Sequence, residues 1–178
     1  MSTQTIQAGK ESIELPTGLF INGEFRNARQ NKTFAVENPA TGKTIVEVQE
    51  GLEDDVDDAV KAARKTMNSK EWREFGPINR ARCMHKLADL MEEHFDKLVA
   101  LEMLDTGKTH FQAASLDVPG SIGTLRYYAG WADKILGTTS FDIPKVFGYT
   151  KREPVGVCGQ IIPWNFVDSS ISSIEWVY

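Results

Sequence analysis

The chain has 178 residues, 41% of them apolar, which suits one globular domain, or at most two, with a sizeable core. A formal net charge of -5 and the lack of any run of Lys and Arg exclude the continuous basic face that a nucleic-acid backbone requires. The opening segment MSTQTIQAGKESIELPTG has neither the apolar core of a signal peptide nor the Arg-rich, acid-poor character of an organelle presequence, and no stretch reaches the roughly 18 apolar residues of a membrane span, so a cytoplasmic protein without a membrane partner is expected.

In chain order, residues 1–14 are polar and aperiodic and read as a flexible tail. From Leu19, LFINGEFRNA places two β-rich pieces around Asn22-Gly23, the dipeptide that takes positive φ at both centres of a type I′ hairpin turn. TFAVENPATGKTIVEVQ repeats the plan with a longer turn, so a small antiparallel β unit opens the fold. LEDDVDDAVKAARKTM then sets Val56, Ala59, Val60, Ala63 and Met67 on one helical stripe. Its first turns are acidic and its end is basic, matching the helix dipole; the acids read as a solvated helix start rather than a cation site.

A further helical segment begins at Pro77, with Met84, Leu87, Ala88, Met91 and Phe95 on one face. A second stripe, Leu98, Leu101 and Leu104, runs to Gly107, a residue suited to a left-handed cap; one bent helix or two in series fit equally well. Another helix is expected over Leu125 to Lys134, with Pro119-Gly120 marking a break or kink ahead of it. After Gly137 the pattern is β-like: Pro144 suggests an edge strand or a turn, and FGYTKREP an exposed, charged β piece. VGVCGQII, by contrast, suits a strand buried on both faces of a parallel sheet.

Candidate chemistry is sparse. His85 and His94 are nine residues apart, on opposite sides of a straight helix at about 100° per residue, so they form no ligand pair. No P-loop, GxGxxG, HExxH or nucleophile elbow is present, and no metal site is expected. Cys83 and Cys158 lack a CxxC or Cys/His arrangement and read as reduced thiols packed in the core. Lys43 and Lys108, beside glycines, read as turn and cap chemistry. Asn165 remains. Pro163 holds Ile162 extended and carries the strand to Trp164 and Asn165, at the carboxyl end where open α/β sheets bind ligands. There an Asn amide can hold a developing oxyanion; an Asn that turns the chain or caps a helix is the competing reading.

The segment YTKREPVGVCGQIIPWNF resembles the part of NAD(P)-dependent aldehyde dehydrogenases that enters the nucleotide-binding sheet. LFINGEF, NPATGK, DVDDAVKAAR, KLADLMEEH, LDTGK and RYYAGWADKI occur in that superfamily's order and approximate spacing, so the resemblance covers about residues 15–166. It implies an α/β fold: the incomplete amino-terminal part of an aldehyde dehydrogenase-like nucleotide-binding domain, with a small β unit, several helices, a β arm and the first buried parallel strand. The implied divisions are a flexible tail at 1–14, the domain's amino-terminal part at 15–137, an oligomerisation-type β arm at 138–154, the first strand of the nucleotide-binding sheet at 155–166 and a non-homologous tail at 167–178.

In such enzymes a cysteine thiolate attacks the aldehyde, hydride passes to nicotinamide, and a glutamate-activated water hydrolyses the thioester. The resemblance makes Asn165 the oxyanion donor and Ile161, Ile162, Pro163 and Trp164 the wall against which NAD or NADP lies. It implies an aldehyde substrate and a dimer or tetramer. The likeness stops at Val167 by this reading, and neither cysteine stands at the nucleophile's place. The expectation is therefore a truncated aldehyde dehydrogenase, arising from an incomplete gene model, a retained intron or a frameshift. Such a fragment would bind cofactor doubtfully and be inactive alone, or act as a non-catalytic partner of full-length subunits.

Overall fold

The computed structural model describes residues 3–141 and 144–162. Six strands come first: β1 (Thr3–Ala8), β2 (Glu11–Pro16), β3 (Leu19–Ile21), β4 (Glu24–Arg26), β5 (Thr33–Asn38) and β6 (Lys43–Gln49). Then follow α1 (Glu53–Met67), α2 (Lys70–Glu93), α3 (Phe95–Thr106), the single turn α4 (His110–Gln112), a π turn (Ala113–Asp117), α5 (Val118–Ala129), and two short strands, β7 (Thr139–Ser140) and β8 (Gly148–Tyr149). Among the described residues the strands pair as separate two-stranded antiparallel ribbons.

The expected hairpins form where local turn chemistry dictates them. Asn22 (φ 57°) and Gly23 (φ 82°) both take positive φ between β3 and β4. In the β5–β6 turn the Asn38 side chain accepts the Ala40 N–H at 2.9 Å and Gly42 turns at φ 66°. The amino terminus corrects the sequence reading. Residues 3–16 are the β1–β2 hairpin rather than a tail, turning at Gly9 (φ 63°) and pairing Ile6 with Ile13. Ile6, Ala8 and Ile13 are buried with Val46, and Leu101 and Leu104 of α3 pack on them. Strands this short, with Thr, Gln, Ser and Glu on the outward face, conceal their period-two pattern.

α3 is the pivot of the fold. Leu98, Val99 and Met103 join a helical core with Ala88, Met91, Ala113, Val118, Ile122 and Leu125. Ala100, Leu101 and Leu104, on its other side, complete the β core. Val99 is buried, which for an aliphatic side chain contributes roughly 1.5–3 kcal/mol, and the others on α3 are buried in part, so one helix ties two sets of apolar contacts together. Its boundaries follow the punctuation in the sequence. Gly76 leaves the helical region at φ 72° and ψ 166°, so α2 restarts at Pro77. His94 (φ -104°, ψ 21°) separates α2 from α3, giving two helices in series, and Gly107 (φ 73°) donates its N–H to Met103 O at 3.0 Å as a left-handed cap.

Two helical expectations change. The segment expected over 125–134 is α5, Val118–Ala129, ending at Gly130, while Trp131 to Lys134 form a turn. Pro119 follows directly on the π turn inside one continuous helical run, Asp117 and Val118 both having helical dihedrals, so its ring removes one interior helical N–H at the place where the helix is irregular. The second change is in α1, whose stripe does not face a core: Val56 is 57% exposed. The helix is instead fixed through its acids. Asp55, only 2% exposed, accepts the N–H of Leu52 at 3.2 Å and of Arg29 at 3.0 Å. Asp58 takes Arg29 at 2.7 Å and Arg26 at 2.9 Å. The acid run is therefore more than a solvated helix start.

Within the segment expected to be a β arm, Thr139–Ser140 and Gly148–Tyr149 pair as the antiparallel β7–β8 ribbon, with Pro144 in its turn. Thr150 closes its base by donating its N–H to Thr138 O at 2.8 Å and accepting the Thr138 N–H on its hydroxyl at 2.8 Å. A side chain at Gly137 would collide with the Thr150 carbonyl. Beyond the arm, residues 151–162 form no strand, and Val155 is 95% exposed. The buried-strand expectation is thus corrected for 155–162: no neighbouring parallel strand lies among the described residues to accept its hydrogen bonds or cover its faces.

Gly107→Ala should destabilise the chain by about 1–3 kcal/mol in urea unfolding, because a Cβ at positive φ would also stand 3.0 Å from the Pro39 side chain. Gly9→Ala, at a similar φ but in open space, should cost less. Equal costs would show that the Pro39 contact does not matter.

Candidate functional site

The sequence places its candidate site in the terminal segment, and the described part of that segment runs past the carboxyl end of α1. Gly156 adopts φ 122°, and a Cβ there would lie 3.3 Å from Arg64 Nη1. Ile161 is 99% exposed and Ile162 42% exposed. Pro163, Trp164 and Asn165 lie outside the described residues. The geometry therefore brings Ile161 and Ile162 to the surface without an opposing apolar face, and among the described residues nothing else converges on them to bind a dinucleotide. These residues do not by themselves fit NAD or NADP.

Both cysteines are free and exposed, which overturns the expectation of packed thiols. Cys158 follows the strand-like segment out to the surface, and its Sγ has a long 3.8 Å contact to Gly156 O. Cys83 lies on the outward side of α2, one residue before Met84, which packs against the helical core. Neither thiol has a histidine or carboxylate hydrogen-bonded to it among the described contacts. No group of three or more His, Cys, Asp or Glu among the described residues could hold a metal ion.

The most buried charged constellation among the described residues lies elsewhere, at the junction of α3 and the π turn. Glu102 is 1% exposed in the middle of α3. Lys108, just past the Gly107 cap, reaches Glu102 Oε1 at 2.9 Å and Asp117 Oδ2 at 2.9 Å. The π turn supplies Asp117, and the Ser121 hydroxyl donates to the Asp117 carbonyl at 3.0 Å, holding the turn onto α5. Burial lowers the Lys108 pKa, but the hydrogen bonds to Asp117 and Glu102 outweigh it and the net shift is upward. Asp105 nearby is shifted upward by burial and then by the Glu102 charge. In the sequence Lys108 reads as cap chemistry; its second partner is nine residues on, across a turn with no sequence signature.

The arrangement can bind Lys108 firmly and order the π turn; it offers no pair poised for proton transfer. Where π turns interrupt α-helices they often adjoin functional sites, and here Phe111 and Leu116 stand exposed beside one. A shallow groove of about 280 Å³ separately lies between the β3–β4 hairpin and α1, lined by Phe20, Ile21, Ala59, Ala62, Ala63 and Thr66.

The comparisons with known proteins are consistent over nearly the whole chain. It matches the family described as "Aldehyde dehydrogenase family" over residues 25–172, so the likeness continues past Val167 rather than stopping there as the motifs alone imply. It is 53% identical over 162 residues to an aldehyde dehydrogenase of Alternaria alternata, covering 91% of this chain and 32% of that protein. Retinal dehydrogenase 2 of Mus musculus is 46% identical over 167 residues, 93% of this chain and 32% of its own length. The NAD+ complex structure of an aldehyde dehydrogenase from Bacillus cereus superposes with a TM-score of 0.83 at 46% identity, covering 90% of this chain and 32% of that one. The chain spans about a third of the length of the relatives it matches.

Two measurements test the local chemistry. Both thiols should react promptly with a chromogenic aromatic disulfide in the native state; a thiol that reacts only after denaturation would be packed after all. For Asp105, the raised folded pKa means that the stability tied to this group is complete below the unfolded value of about 3.9 and declines as pH rises through the folded value. Asp105→Asn should therefore raise the thermal midpoint at pH 7 and lose that advantage near pH 3. The same gain at both pH values would rule out the charge as its cause.

Proposed function

The chain belongs to the aldehyde dehydrogenase family, of whose α/β fold it forms an incomplete amino-terminal part, and on that premise we propose that it supplies scaffold to an NAD(P)-dependent oxidation of aldehydes to carboxylic acids without catalysing the reaction by itself. The observation that carries this reading is the state of its sulfur chemistry. A covalent route needs a thiolate beside an activating group, and Cys83 and Cys158 are instead exposed and, among the described residues, without a hydrogen-bonded histidine or carboxylate. The nicotinamide cofactor of the family reaction accepts hydride. No hydride-transfer step is assigned to these residues, since the described part of the terminal segment does not form a surface to hold it.

In this reading α3 and its two cores set the frame, and residues 155–166 become the first strand of the nucleotide-binding sheet once parallel neighbours are supplied. That strand would gain its ladder and cover Val155 and Ile161, both now exposed. Asn165 would then steady the oxyanion through its amide, with Ile161, Ile162, Pro163 and Trp164 walling the cofactor. The compartment proposed is the cytoplasm, in keeping with two unpaired thiols.

A second reading is favoured by the arm. Phe141, Phe147 and Tyr149 are exposed and in mutual contact, with ring centroids 5.4 and 6.1 Å apart, a surface suited to a protein partner. We infer from it a non-catalytic association with full-length subunits or with a second copy.

Purified chain supplied with acetaldehyde and NAD or NADP should give no increase in absorbance at the reduced-nicotinamide wavelength. Turnover that Asn165→Ala abolishes would overturn the scaffold reading. Separately, the tagged chain should co-purify with a full-length family member, and Phe147→Asp should reduce the recovered partner several-fold. A strictly monomeric chain with no partner retained would remove the second reading and leave the first standing.

A further inference from the structure

We draw no further inference here: the strongest candidate, the shallow apolar groove between the β3–β4 hairpin and α1 lined by Phe20, Ile21, Ala59, Ala62, Ala63 and Thr66, is an unpartnered face, and nothing in the structure shows what covers it.

Discussion

Glu102 lies in the middle of α3 with an apolar core on either side, and Lys108 comes back over the Gly107 cap to meet its carboxylate and offset the cost of burying it. The left-handed turn at Gly107 sets that return path, and the π turn delivers Asp117 to the same ammonium. Such a cluster need not stabilise the fold relative to a well-packed apolar alternative. Losing one partner, however, strands a buried charge at a cost of about 3–5 kcal/mol. The constraint is therefore one of arrangement: helix end, cap and π turn must all hold their places together, and α3 then carries both cores.

How much of this was legible depends on whether the cause is local. The Asn22-Gly23 hairpin, the restart at Pro77 and the cap at Gly107 follow from the conformational preferences of the residues themselves, and each stands where the sequence puts it. Helical periodicity shows which side of α1 is apolar, but cannot show whether anything covers it. Val56 and Val60 are exposed because Asp55 and Asp58 fix the docking. The Lys108 cluster was illegible for a related reason. It joins residues six and nine positions apart through a cap and a π turn, and neither partner is implied by the other's type.

The candidate site shows the same division. IIPWN is readable as a motif, and the family match across 25–172 supports the reading of the chain to which it belongs. A strand, however, is a property of two or more segments. The β-branched residues of 155–162 carry the preference, but their backbone groups need a neighbour's N–H and C=O to express it. With none among the described residues, the same sequence that looks most buried on paper is among the most exposed in space.

The way α1 is attached has a consequence for how the molecule responds to its medium. Its anchoring to the β3–β4 region depends heavily on the guanidinium groups of Arg26 and Arg29 around Asp58, part of which faces water, whereas α3 is held mainly by apolar contact on both sides. Added salt screens the first kind of contact and leaves the second intact or slightly stronger. Ionic strength thus acts unequally on the two helices: concentrated electrolyte weakens the Arg26 and Arg29 contacts of α1, leaving its buried Asp55 hydrogen bonds as the remaining anchor, while the body around α3 keeps its packing.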